Sequence, residues 1–194
     1  YQTYTDDFKE KYSDTNRNLN LEVYEKLDGT FITLGLDKND NLVAATSSST
    51  RTEFTPLAEE YFNNRPNIDK IKTFMKNTNM SLMFEYTSPD NVIVIPYDKT
   101  EFTLIGARQR DITAPISEYK ELQVIAGILD LNVCQAKKMD LDQIKEYQKT
   151  NKTSEGFVVR NEHGNLLKFK TDYWFEEKAK FGDIFFGKPL TQQS

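Results

Sequence analysis

The residues of this chain with the means to do chemistry begin at Lys26, in Glu25-Lys26-Leu27-Asp28-Gly29-Thr30 between two apolar runs, Leu21 to Tyr24 and Phe31 to Leu36. An amine attacks only when neutral, and an exposed lysine, with a pKa near ~10.4, is almost wholly protonated at pH 7. Partial burial or a second cation nearby lowers that value and makes the side chain a nucleophile. Asp28-Gly29 suits such a site, because a short Asp-Gly turn lets backbone and a ligand approach without a clashing Cβ. The same hexapeptide also reads as a hairpin turn with a solvated lysine. Three later segments bring further groups. Ser81-Leu82-Met83-Phe84-Glu85-Tyr86 sets one carboxylate in an apolar strand-like run, and Ser154-Glu155-Gly156-Phe157-Val158-Val159 sets another. Lys168-Phe169-Lys170 puts two lysines on one strand face, since alternate strand positions point the same way.

Taken in order, Lys-x-Asp-Gly, Phe-Glu, Glu-Gly-x-Val and Lys-x-Lys resemble motifs I, III, IV and V of the covalent nucleotidyltransferases: DNA ligases, RNA ligases and mRNA capping enzymes. Within them the chain is most similar to the ATP-dependent RNA ligase 1 type of the T-even phages. Phe84-Glu85-Tyr86-Thr87-Ser88-Pro89-Asp90-Asn91-Val92-Ile93-Val94 resembles that family's Phe-Glu-Phe-x-x-Pro-x-Asn-Arg-Ile-Val. Lys168-Phe169-Lys170-Thr171-Asp172-Tyr173-Trp174 resembles its Lys-x-Lys-Ser-Asp-Trp-Tyr. The resemblance runs from about Tyr24 to Trp174. It implies that Lys26 attacks the α-phosphorus of ATP, expels pyrophosphate and carries AMP on to an RNA 5′-phosphate, which a 3′-hydroxyl then seals. Lys168 and Lys170 are implied to hold the α-phosphate and to lower the pKa of Lys26, since such catalysis rests on positioning and charge neutralisation. The resemblance further implies Glu155 beside a divalent ion, Mg²⁺ with Mn²⁺ as an alternative, Glu85 on the ribose and Glu25 on the adenine amino group. Leu104, on the strand that resembles motif IIIa, is the candidate to pack on the base, with plain core packing as the other reading. Trp174 with Tyr173 either closes over the nucleotide or packs internally.

The chain also departs from that pattern. Where the family carries a Lys-Ser-Lys-Gly-Ser-like string, this one has Ala44-Ala45-Thr46-Ser47-Ser48-Ser49-Thr50-Arg51, so that either Arg51 substitutes for the lysine or its function is weakened. Asn91-Val92 replaces an Asn-Arg pair, and Lys9, Lys11 and Arg17 have no clear counterpart upstream. A DNA ligase, a GTP-using capping relative, and a weakened nucleotide- or RNA-end-binding module therefore stand as alternatives.

The elements that must position these groups follow from pattern. The chain has 194 residues, 38% of them hydrophobic, with 13 Phe and 10 Tyr, enough core for one domain. Residues 21–175 are expected to form the nucleotidyltransferase domain, with 1–20 and 176–194 as flanks of a longer ligase. Leu21 to Glu25, Phe31 to Leu36 and Leu42 to Thr46 read as a meander turning at 37–41. Helices are predicted over Phe54 to Asn63, Pro66 to Asn77, Ser117 to Leu129 and Leu141 to Lys149. Strands are predicted over Met80 to Thr87, Val92 to Pro96, Phe102 to Arg108, Phe157 to Arg160 and Leu166 to Lys170. The expected fold is α+β: the nucleotidyltransferase fold, an ATP-grasp-like ligase core of antiparallel sheets flanked by helices around a nucleotide cleft. Arg108 and Arg110, with Lys168 and Lys170, are candidates to line a basic cleft.

Composition sets outer bounds. A net charge of −5 argues against a surface uniformly basic enough to hold nucleic acid by counterion release. Single Cys134 permits no internal disulfide and reads as a small buried hydrophobe in a reducing, cytoplasmic setting. No apolar run approaches ~18 residues, so no membrane span is expected. Single His163 lies in an apparent hairpin turn, which disfavours a histidine-based triad or zinc site, and no Walker loop occurs. Expected partners are ATP, AMP and RNA ends; oligomeric state is unreadable.

Overall fold

The computed structural model describes residues 2–3, 21–47, 52–110, 119–160 and 166–186. In chain order the elements are β1 Gln2–Thr3, β2 Leu21–Lys26, β3 Thr30–Leu36, β4 Leu42–Thr46, α1 Phe54–Asn63, α2 Ile68–Thr78, β5 Met80–Thr87, β6 Glu101–Gln109, α3 Tyr119–Leu129, β7 Asn132–Val133, β8 Lys137–Met139, α4 Leu141–Thr150, β9 Gly156–Arg160, β10 Leu166–Lys170 and α5 Asp172–Phe186. They divide between two compact units, each assembled from separate stretches of chain. One comprises Tyr1–Asp28, Val92–Pro96 and Gln135–Ser194, the other Gly29–Asn91 and Tyr97–Cys134.

The first unit is built on a sheet of order β1-β10-β9-β2-β8, parallel only between β1 and β10. Strand alternation sends Leu21, Val23, Phe157, Val159 and Phe169 to one face, where they bury Leu141 and Ile144 of α4. A capping box starts that helix: Asp140 Oδ1 accepts the Gln143 N–H at 2.8 Å, and Gln143 Oε1 accepts the Asp140 N–H at 2.9 Å. The sheet's other face carries Tyr24, Lys26, Val158, Lys168 and Lys170, paired across β2, β9 and β10.

The second unit has the order β4-β3-β5-β6-β7, antiparallel except between β6 and β7. Its core joins Ile32, Leu34, Leu82, Phe84, Phe102 and Leu104 to helix residues such as Phe62, Ile71, Met75, Ile125 and Leu129. Ring centroids of Phe62 and Phe84 lie 4.8 Å apart and those of Tyr61 and Phe102 4.5 Å, typical of interlocked aromatic packing. Glu85 stands on the face opposite this core, because its neighbours Phe84 and Tyr86 both point into it.

The helix over Phe54–Asn63 and the strands over Met80–Thr87 and Leu166–Lys170 form as predicted. The meander does not. β2 and β3 belong to different sheets, so Lys26 is the last residue of a paired strand and not part of a hairpin turn; only β3 and β4 pair, around Asp37. The Asp37 Oδ1 accepts the N–H groups of Asn39 and Asn41 at 2.8 and 2.9 Å, which holds its carboxyl below the ordinary value. Val92–Pro96 is not a strand: its backbone is drawn to Asp28, as described below. The second helix begins at Ile68, not Pro66, after Asn67, and ends at Asn79 in the left-handed conformation. The third is described from Tyr119 onward. Composition gave little sign of the two- and three-residue strands β1, β7 and β8, nor of α5, which runs on to Phe186 across the expected boundary at 175. Cys134, the chain's single cysteine, is half-buried, a correction to its reading as buried. Lys9, Lys11, Arg17, Arg51 and His163 fall outside the described residues.

Candidate active site

Lys26 ends β2 and stands opposite Gly156, the first residue of β9; on the other side of β9, Gly156 stands opposite Lys170, which ends β10. The two lysines therefore flank one glycine on one sheet face. That position must be glycine, since a Cβ there would lie 1.8 Å from the Phe169 carbonyl oxygen. Glu155, just before it, places Oε1 2.8 Å from Lys26 Nζ and 3.6 Å from Lys170 Nζ. The carboxylate is 6% exposed and each lysine side chain 25%. Attraction to the two ammonium groups offsets the cost of taking that carboxylate out of water.

Lys168 lies two residues back along β10, opposite Val158 and on the same face as Lys170. Lys170 is held below the ordinary lysine pKa, first by burial; Glu155 pulls it back up, and Lys168, Lys26 and Lys178 push it down again. Its ammonium lies 3.8 Å from the Trp174 ring centroid, while that of Lys178, one helical turn further on, lies 4.6 Å from the same ring. Trp174 is positioned by a helix start. Thr171, fully buried, accepts the Trp174 N–H on Oγ1 at 3.1 Å and donates to the Ser154 carbonyl at 2.9 Å, so it caps α5 while tying it to the segment before Glu155.

Asp28 is the anchor of this arrangement. It is buried, and its Oδ2 accepts the N–H groups of Val94 and Ile95, each at 2.8 Å. Its Oδ1 faces the Trp174 indole N–H at 3.5 Å. One side chain thus fixes the exit of β2 just past Lys26, the 92–96 segment and the ring beneath Lys170. Sequence reading placed Asp28 in an open turn, because nothing local distinguishes a turn aspartate from one that reaches a segment more than sixty residues away.

Lys26, Lys168, Lys170, Glu155, Asp28 and Trp174 are therefore brought together in the first unit. Other expected positions stand differently. Glu25 shares the face of Val23 and Phe157, opposite that of Lys26, so its expected contact to a base held beside Lys26 is not supported. Its charged neighbour is Lys137, which only partly offsets the loss of hydration that pushes the carboxyl up. Leu104 is 1% exposed and packs in the second unit's core opposite Phe84, so it offers no surface to a base; a bulge leaves Ile105 exposed instead. Gly29 is needed for a close backbone approach, but to β5: a Cβ would lie 2.1 Å from the Tyr86 carbonyl oxygen. In that unit Glu85 accepts the Gly29 N–H at 3.1 Å. Arg108 and Arg110 also belong to the second unit. Lys178 and Thr171 were missed. The signal for both was a Thr-Asp helix start after Lys170, which puts Lys178 four residues, one turn, beyond Trp174.

Among the described residues no three His, Cys, Asp or Glu side chains gather as a metal cage. A magnesium-type ion bound with a nucleotide needs only one or two carboxylates besides phosphates and water, and Glu155 is the carboxylate present in the lysine cluster. No helix among the described residues is long and apolar enough to cross a membrane.

The family model described as RNA ligase matches residues 5–182. No curated protein matches the chain. An archaeal ATP-dependent RNA ligase is similar in structure with a TM-score of 0.66 at 14% identity, over 85% of this chain and 46% of that one. An apo mutant of Naegleria gruberi RNA ligase gives 0.67 at 18%, over 93% and 57%; another mutant of it was solved with ATP and Mn. A protein described as an ATP-dependent DNA ligase from Aquifex aeolicus gives 0.65 at 15%, over 90% and 50%. The fold is thus the nucleotidyltransferase fold of these ligases, and the chain spans about half the length of those structures.

Proposed function

The chain belongs to the RNA ligase family, and from that premise we propose that it is the adenylyltransferase part of an ATP-dependent RNA ligase, acting on RNA ends in the cytoplasm. The observation that carries the proposal is the placement of Lys26 and Lys170 on either side of Gly156, with the Glu155 carboxylate 2.8 Å from Lys26.

In the first step Lys26 Nζ, having lost its proton, forms a bond to the α-phosphorus of ATP while the bond to the bridging oxygen breaks and pyrophosphate leaves. Negative charge builds on the phosphoryl oxygens and the leaving group, and Lys170 and Lys168, on the same face, supply positive charge where it builds. Trp174 and the cap at Thr171 hold Lys170 in place, and Asp28 holds the backbone just past Lys26. Glu155, together with the nucleotide, would hold a divalent ion, Mg²⁺ or Mn²⁺, which when bound would neutralise the phosphates further. In the second step an oxygen of an RNA 5′-phosphate attacks the adenylyl phosphorus, the phosphorus–nitrogen bond breaks, and Lys26 recovers its amine and proton. In the third, a 3′-hydroxyl attacks the activated 5′-phosphate, loses its proton and expels AMP.

Incubation with ATP labelled at the α-phosphate and Mg²⁺ should give a covalently labelled protein, with GTP a poor donor, and added pyrophosphate should strip the label. Absence of label from pH 6 to 10, or label that survives Lys26→Ala, rejects the reading. The likeness to the Aquifex protein gives a second acceptor a hearing, so the loaded protein should be offered RNA and DNA 5′-phosphates side by side. Transfer to DNA alone would move the assignment to DNA ends.

A further inference from the structure

The lysine cluster does not end at the residues the reaction uses. Lys178 lies on the first turns of α5 with its ammonium 4.6 Å from the Trp174 ring, and it is one of the cations felt by Lys170. Three residues before it, Phe175 is 52% exposed, although it packs edge-on against Trp174 at 5.4 Å. On a helix, positions three and four apart are neighbours, so Trp174, Lys178 and Phe175 make one stripe of aromatic, cation, aromatic. Glu176 falls outside that stripe, and Glu177, which borders it three residues beyond Trp174, is engaged by Lys180 at 2.7 Å. An exposed ring beside a cation is what sequence-tolerant single-strand binders use, with bases stacking on the ring and phosphates meeting the charge. In a chain of net charge −5, a local patch of this kind is where a polyanion can be held.

We propose that Phe175 and Lys178 form the landing surface for the single-stranded RNA whose end is handled at Lys26, with Phe175 stacking under a base and Lys178 pairing with a backbone phosphate. The proposal rests on the ligase reading and extends it to the substrate's approach. The stripe leads from exposed Phe175 inward to Trp174 and Lys170, so a strand lying along it would bring its terminal phosphate toward the lysines around Gly156.

The test uses the full chain and its sole tryptophan, Trp174, as reporter. A short 5′-phosphorylated single-stranded RNA is titrated while Trp174 fluorescence is followed, at several salt concentrations, with AMP loading measured separately. RNA should quench Trp174. Phe175→Ala and Phe175→Leu, the latter keeping bulk without a flat ring, should each weaken RNA binding by roughly tenfold, and Phe175→Tyr should restore it. Lys178→Ala should flatten the plot of log affinity against log salt by about 0.7, and Lys178→Arg should keep the slope. No RNA binding by the wild-type chain, or binding that these substitutions leave unchanged while circular dichroism shows folded protein, overturns the proposal. RNA binding that responds as described in a chain that never loads AMP would instead reject the ligase reading and leave this surface standing.

Discussion

At the scale of single residues, the proposed loading step places opposite requirements on two lysines. Lys26 must be neutral to attack, whereas Lys170 must be charged to steady the phosphoryl group. Burial holds Lys170 below the ordinary lysine pKa of 10.5. Its cation is therefore lost as pH rises through that lowered value, before an exposed lysine would lose its own, and the loading rate should fall on the alkaline side. Arginine stays charged throughout that range, so Lys170→Arg should load more slowly because its fork fits differently, yet show no alkaline decline. The rate of label incorporation against pH, measured for both proteins, decides this. An alkaline limb that persists unchanged in Lys170→Arg would mean that another group titrates there.

At the scale of elements, the site is made by strand register and one helix cap. Thr171 is the point where β10 becomes α5, and its hydroxyl serves both. Thr171→Ala should cost about 1 to 2 kcal/mol of stability through loss of the cap. It should also shift Trp174 emission to the red, while Thr171→Ser retains both properties. Thermal melts and emission spectra read the two effects, and an alanine variant with unchanged melting and emission would show that the cap is dispensable. Register is also where sequence reading succeeded and failed. Lys168 and Lys170 were legible as a same-face pair because period two is local information. The face that Glu25 takes was not legible, because a motif fixes order along the chain but not which way a neighbouring residue points; beside Lys26 at the strand's end, Glu25 falls on the Val23 side. Leu104 could be read either way, because an apolar residue in a strand looks alike whether it faces core or ligand, and it lies in the core. Val92–Pro96 was misread as a strand because its apolar run was visible while its partner, the distant Asp28 carboxylate, was not.

At the scale of the whole molecule, charge separates the partial reactions. Loading AMP requires only a small nucleotide at a locally basic site, but sealing requires two polynucleotide ends on a chain of net charge −5. Phosphate contacts weaken steeply with salt, so between low and moderate salt the joining of 5′-phosphorylated RNA should fall by a larger factor than loading in the same preparation. Equal falls would show that RNA retention does not limit sealing. Aromatic-rich cores, helix periodicity and the ordered motifs made the fold class legible. The division into two units was not, because each is assembled from stretches distant in sequence, such as 92–96 joining 1–28 through Asp28. All of this depends on one covalent event, and mapping it is the most direct test. After incubation with ATP and Mg²⁺, the protein is digested under conditions that spare phosphoramidates and its peptides are sequenced by mass spectrometry. The expected result is one adenylyl group on Lys26, absent from Glu155→Ala and Lys26→Ala proteins that remain folded; adenylylation of a different lysine, or none in a folded wild-type chain, would contradict the assignment.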